Sequence, residues 1–280
     1  MQNYILYFIP FVFGLVVGSF LNCVIYRLEN KKSFLRGRSF CPHCKHYLSW
    51  QDLIPVLSFF ILGGKCRYCK KPISWQYPSV EIATGILFVL IFQFLKLDFY
   101  LDFKVWALNF LYFSFIFCLL VIIFVFDLRH YIIPDRAVFA ASIAAFIYQL
   151  FKIFNFNVFN LFEIWKFKIE NFQPLIPIIM SAAGASFFFL IIVLISRGNW
   201  MGLGDVKLAF FMGLFLGFPD ILVALFLAFL IGAIIGLGLI YFKKKKLKSE
   251  IPFGPFLVFS TTLSLFFGEK IINWYLTLFL

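Results

Sequence analysis

Long apolar segments that carry almost no charge recur along the whole chain, and they decide the solvent in which it folds. Of 280 residues, 63% are hydrophobic and only 14% are charged, where a soluble domain has roughly 45–50% apolar and about 25% charged residues. A water-soluble enzyme of ordinary composition is excluded, as is a disordered or collagen-like chain. The segments lack the alternation of membrane strands, so helices must satisfy the backbone within hydrocarbon. The expected fold class is an all-α polytopic membrane protein.

Eight spans are expected, at Tyr4–Tyr26, Val80–Leu95, Val105–Phe126, Ala137–Phe154, Leu175–Ile195, Asp205–Phe218, Ile221–Phe242 and Phe256–Leu280. The first is too long, and too poor in basic residues at its start, for a cleaved signal peptide. The sixth is short for a hydrocarbon core of ~30 Å. The chain then divides into a first transmembrane helix (1–26), a polar cytoplasmic domain (27–79) and a seven-helix membrane domain (80–280). Asn155–Gln173, aromatic with scattered charges, reads as an amphipathic helix in the outer interface. No internal repeat stands out, and no inverted pair of broken spans, which weighs against a transporter.

The net charge of +12 is read through the positive-inside rule. With the N-terminus outside, 19 of the 25 lysines and arginines fall in the inner loops and six outside. The five in Lys243–Lys248 are part of that count. Both termini are therefore expected outside and the polar loop inside, in a multi-pass cytoplasmic membrane protein. No basic–aromatic platform is evident, so nucleic acid is not an expected partner.

Four of the six cysteines stand as Cys41-Pro-His-Cys44 and Cys66-Arg-Tyr-Cys69. Two C-x-x-C knuckles at this separation suit a tetrahedral, structural zinc ion closed by four thiolates. A polar loop of this size builds little core, so a metal staple has a physical reason. Two disulfides, disfavoured in a cytoplasmic loop, or free thiols are the alternative. His43 and His46 read as solvent-facing residues, and Cys23 and Cys118 as inert residues of apolar spans.

Carboxylates are scarce here and costly near hydrocarbon, which makes them functional candidates. Asp127 ends the apolar run Leu119–Phe126, and Asp205 opens an apolar helix in Met201-Gly-Leu-Gly-Asp-Val-Lys-Leu208. The expected orientation puts both at the cytoplasmic membrane edge, on different helices. An aspartyl-protease dyad needs this pairing: one carboxylate activates water and the other, protonated, polarises the scissile carbonyl. Like charges held close resist joint ionisation, so such a pair shares a proton and titrates as a unit. Gly202 and Gly204 would let a substrate strand approach. The plainer alternatives are an N-cap role for Asp205 and pairing of Asp127 with Arg129 or Arg136. Asp135, after Pro134, reads as a turn or cap residue. Glu81 opens the second span, where a helix N-terminus favours it, and also reads as a residue facing the site. Lys207 reads as a ligand for lipid headgroups or a substrate carboxylate.

In order along the chain, these motifs resemble the prepilin peptidases, a family of GxGD aspartyl proteases. The resemblance rests on Gly18-Ser-Phe-Leu-Asn22 with Val24-Ile-Tyr-Arg27, Cys41-Pro-His-Cys44, Asp52-Leu-Ile-Pro55, Gly64-Lys-Cys-Arg-Tyr-Cys69 and Glu81. It continues through Asp127 with Ile133-Pro-Asp135, Gly202-Leu-Gly-Asp-Val-Lys-Leu208 and Ile251-Pro-Phe-Gly-Pro-Phe256. It implies a bacterial inner-membrane endopeptidase that removes the short basic leader from prepilins or pseudopilins beside the substrate's apolar helix. It implies Asp127 and Asp205 as the catalytic pair, and Cys41, Cys44, Cys66 and Cys69 as zinc ligands. It also implies methylation of the new N-terminus with S-adenosylmethionine, for which the sequence has no nucleotide-binding fingerprint. Glu29-Asn30-Lys31-Lys32 and Gly63-Gly64 depart from the family's usual pattern. The competing readings are a related GxGD protease and a non-enzymatic scaffold with a zinc docking domain. A proton or cation transporter using the two aspartates is the third.

Overall fold

The computed structural model describes residues 3–30, 37–153, 175–242 and 251–278. Asn155–Gln173, the expected interfacial helix, and Lys243–Lys248 of the orientation count lie outside them. The described residues contain ten α-helices, one 3₁₀ helix, two isolated bridges and no strand. Seven of the helices are long and apolar enough to cross a membrane. The chain forms two compact units, Met1–Ile122 and Ile123–Leu280.

In the first unit, α1 (Asn3–Glu29) pairs with α3 (Gln76–Phe94). The contacts run in opposite directions along the two helices. The Tyr7 hydroxyl meets Gln93, Gly14 meets Gly85, Gly18 meets Glu81, and Asn22 Nδ2 donates to the Tyr77 carbonyl at 3.0 Å. Water exclusion does not drive helices together in lipid, so close packing must. Gly14 and Gly18, four apart, supply it: a Cβ on Gly18 would lie 2.7 Å from the Glu81 Cα. Glu81 does not open its helix as expected. α3 begins at Gln76, earlier than the expected Val80, so Glu81 sits on the second turn.

The first unit also contains α2 (Leu57–Ile61), α4 (Lys96–Leu101) and the start of α5 (Phe103–His130). Aromatic rings join α3 to α5, with Phe88 on Phe110 at 5.8 Å and Phe92 on Trp106 at 5.9 Å. Part of the chain's phenylalanine excess is used here, since edge-to-face rings fill space without polar atoms.

The loop between α1 and α3 holds a short repeat, contrary to the expectation of none. Residues 39–48 and 64–73 adopt the same hairpin at an offset of 25 positions. Phe40 bridges Tyr47, and Lys65 bridges Pro72. The Cys41 N–H donates to His46 O and the Cys66 N–H to Lys71 O, both at 2.9 Å. Lys45 and Lys70 take positive φ angles of 61° and 58° at equivalent places. The correspondence continues into Ser49-Trp-Gln and Ser74-Trp-Gln. The repeat escapes a search for long periods because only its cysteines, lysine and Ser-Trp-Gln are shared.

The second unit is built around α8 (Leu203–Leu216). It is flanked by α6 (Asp135–Ile153), α7 (Leu175–Ser196), α9 (Asp220–Tyr241) and α10 (Gly254–Thr277). At 14 residues α8 is the one expected span that falls short of crossing length. Nine of its residues are buried, and a partly exposed strip of Leu203, Lys207 and Phe210 runs along its first turns. It is a core helix, and the lipid-facing work falls to its neighbours, such as Phe226 and Leu237 of α9, which are exposed.

The crossing glycines give a direct test. Gly18→Leu forces a side chain into the α3 backbone and is expected to destabilise the first unit by about 1–3 kcal/mol. Gly184→Ala meets nothing within 4 Å and should leave the melting temperature in detergent unchanged or raised. Equal melting of the two variants would contradict this packing.

Candidate active site and metal centre

The four cysteines of the knuckles converge. Their sulfur atoms all lie within 4.8 Å of one another, and the Cys41 and Cys69 Sγ atoms are 3.9 Å apart. Four sulfurs at ~2.3 Å around one tetrahedral ion would be about 3.8 Å apart, so the donor set fits such an ion. Cys41 and Cys66, the first of each pair, are buried, while Cys44 is exposed.

The electrostatics match a metal-binding cluster. Burial pushes the Cys41 thiol up, but the backbone N–H groups of Cys44 and His43 and the Cys66 and Cys44 thiols outweigh it and bring it to about 7. A backbone donor at His46 lowers Cys44, but burial and the Cys41 and Cys69 sulfurs raise it to about 11. The two thiols of the first knuckle are therefore driven in opposite directions, a conflict that a divalent cation bound by both would remove. His43 and His46 are exposed, as expected, and His46 stacks on Tyr68 at 3.7 Å.

Asp52 braces the second knuckle against the first. It accepts from Arg67 Nε at 2.7 Å, from Ser49 N at 3.1 Å and from the Tyr68 hydroxyl at 3.2 Å. Burial raises its carboxyl, but these donors win and hold it below the usual carboxylate range.

The second unit brings Asp127 and Asp205 together. Both are buried, at 4% and 8% exposure, and Asp127 is close enough to act electrostatically on Asp205. Each carboxylate is oriented by a backbone donor at a helix start. The Gly254 N–H, on the first residue of α10, serves Asp127. The Gly202 N–H, one residue before α8, serves Asp205 Oδ2 at 3.2 Å. Asp205 is thus not the N-cap of α8 but stands three residues beyond it, reaching back as an acidic N3 residue does.

Two further residues shape this site, and both belong to the sequence motifs above without a role assigned there. A Cβ on Gly254 would lie 2.5 Å from Asp127 Oδ2, so only glycine lets that carboxylate rest on the start of α10. Ile133 bridges the two acidic segments. Its side chain would meet a Cβ on Gly204 at 3.0 Å and one on Gly254 at 3.3 Å. The signal for Gly254 was available: Gly-Pro at a helix start, in a loop that must return to the membrane.

Of the remaining candidates, Gly202 and Lys207 flank Asp205 in the sequence, and Glu81 belongs to the first unit. Lys207 forms an ion pair with Asp135 at 2.7 Å, both half-exposed, at the start of α6. Gly202 lies beside Gly204 N and Asp205 Oδ2, at 3.8 and 4.0 Å from a notional Cβ. Glu81 belongs to the first unit, where its carboxylate accepts from Val56 N at 2.8 Å and from the Ser19 hydroxyl.

Comparisons with known proteins agree along the chain. The bacterial peptidase A24 N-terminal domain matches residues 12–95, and the type IV leader peptidase family matches residues 114–237. A prepilin leader peptidase/N-methyltransferase of Aeromonas hydrophila is 30% identical, with 98% of this chain and 96% of the relative aligned. That of Legionella pneumophila is 31% identical over 97% and 94%, and that of Bacillus subtilis 29% over 96% and 97%. No solved structure matches the chain significantly.

For the metal centre, elemental analysis of purified protein should find about one equivalent of a divalent ion with four-sulfur coordination in X-ray absorption. Cys66→Ser should lower the metal content, whereas His43→Ala should leave it intact. Full occupancy in Cys66→Ser would contradict the four-thiolate site.

Proposed function

Because the chain belongs to the type IV leader peptidase family, we propose that it cleaves the leader from prepilins or pseudopilins at the cytoplasmic face of a bacterial inner membrane. The single observation that carries the reading is the burial of Asp127 and Asp205 in one unit, each fixed by a helix-start amide. With one proton between them, one carboxylate accepts a proton from water while the other donates a hydrogen bond to the scissile carbonyl. The proton then passes to the leaving amine, and the pair returns to its starting state. No role is fixed on either residue, since coupled acids titrate together.

Gly254 and Ile133 are positioning residues in this scheme: they hold the carboxylates and touch no substrate. The substrate segment must unwind locally, because helical hydrogen bonds cover the carbonyl under attack. On the proposed topology, with both termini outside, a basic leader remains on the side where the dyad opens.

Cys41, Cys44, Cys66 and Cys69 would hold zinc, which supplies a structural crosslink between the two halves of the repeat. Methylation of the new N-terminus with S-adenosylmethionine is the second activity, carried by likeness to bifunctional relatives. The described residues contain no strand–helix–strand unit of the kind that grips a dinucleotide.

In a detergent assay with purified prepilin, Asp127→Asn and Asp205→Asn should each lower turnover by at least about 10²–10⁴-fold with folding preserved. Gly254→Ala should lower turnover with little change in KM, because it moves the carboxylate and not the binding surface. Cleavage at the wild-type rate by either Asn variant would rule out the dyad.

A further inference from the structure

We propose that α2 is a membrane foot, a short helix in the headgroup layer that docks the metal-knuckle domain onto a bilayer containing anionic lipid. The depth of α2 comes from one bond. Val56, the residue before α2, donates its N–H to the Glu81 carboxylate at 2.8 Å. Glu81 lies five residues inside α3, roughly 7–8 Å along the axis from Gln76. Since α3 is long and apolar enough to cross the membrane, α2 stands beside the end of a spanning helix and not out in water. The placement is enforced, because Val56 holds a φ of 61°, a conformation costly for a β-branched residue.

At that depth α2 shows apolar side chains to its surroundings: Leu57 is 61% exposed, Phe60 58% and Ile61 78%. Trp75, the last residue before α3, packs on Phe59 at 4.9 Å and Phe60 at 6.3 Å and is still 66% exposed. Trp50 holds the equivalent place in the repeat, on the 3₁₀ turn beside α2, and is 73% exposed. Tryptophan flanking an apolar helix end is the signature of the membrane interface.

The charge of the same domain selects the lipid. Between residues 37 and 75, Arg38, Lys45, Lys65, Arg67, Lys70 and Lys71 are all exposed, against one acid, Asp52, already engaged by Arg67. A divalent ion on four thiolates would contribute a charge of −2, which leaves the domain basic. The leader expected for the substrate is itself basic, so it is repelled by this surface. On the cytoplasmic placement proposed above, an anionic leaflet is the complementary partner.

The test uses full-length protein in nanodiscs of phosphatidylcholine, with or without phosphatidylglycerol. Each disc carries a phospholipid with a diazirine near its headgroup, and labelled peptides are mapped by mass spectrometry. Residues 57–61, Trp50 and Trp75 should take more label than either knuckle, with at least about threefold more label when phosphatidylglycerol is present. Phe60→Asp with Ile61→Asp should retain bound metal and lose the label. Lys65→Glu with Lys71→Glu, which leaves α2 untouched, should keep the label but abolish the gain from phosphatidylglycerol. Label on residues 57–61 no higher than on the knuckles would overturn the foot and leave the surface to a protein partner. Equal label in both discs would overturn the anionic lipid. Neither outcome depends on proteolysis, so prepilin cleavage is judged separately.

Discussion

A carboxylate inside an apolar helix bundle must find a hydrogen-bond donor, and this protein supplies one each time from the backbone. Asp127 takes the first amide of α10, Asp205 takes the amide before α8, and Glu81 takes the amide before α2. Backbone donors at helix starts are unused by the helix itself and carry its positive end. They bring no cation, so the acids remain available for chemistry or anchoring where a lysine partner would have neutralised them. The lysine at the site's edge, Lys207, is engaged with Asp135. Helix ends are therefore the fixed points of the structure, and the spans are arranged so that three of them meet acids.

This arrangement explains what could be read from the sequence. Spans were legible because membrane helices must be long and uncharged, and the expected boundaries fall within a few residues of the observed helices. The knuckles were legible because C-x-x-C spacing reflects metal geometry directly. Asp127 and Asp205 stood out because acids are rare in apolar surroundings. The donors were illegible, since any residue but proline has an amide and only the fold decides which amide faces which acid. Gly254 is the partial exception: its Gly-Pro pair marks a helix start in the sequence, but not the acid that rests on it. The partner of Glu81 was hidden in the same way: Val56 lies 25 positions earlier, in the polar loop.

The knuckle repeat adds a second kind of economy. One hairpin design is used twice, and each copy ends in a tryptophan. Beyond that tryptophan the copies diverge: Trp50 begins a single 3₁₀ turn, whereas Trp75 leads directly into the spanning helix α3. The same local rule thus produces a loop in one copy and an entry into the bilayer in the other, and apolar length downstream makes the difference.

The brevity of α8 has a wider implication. Fourteen residues reach about 21 Å along a helix axis, against a hydrocarbon core of ~30 Å. Its far end turns through Gly217-Phe-Pro219 straight into α9, which is of full crossing length. The shortfall therefore falls at the Asp205 end, which stops about 9 Å below the other surface. A thinner bilayer or entry of water at that end would make up the difference. In both cases membrane thickness becomes a variable of the site. Longer acyl chains would widen the mismatch and shorter ones would narrow it, so bilayer thickness would bear on how water reaches this pair.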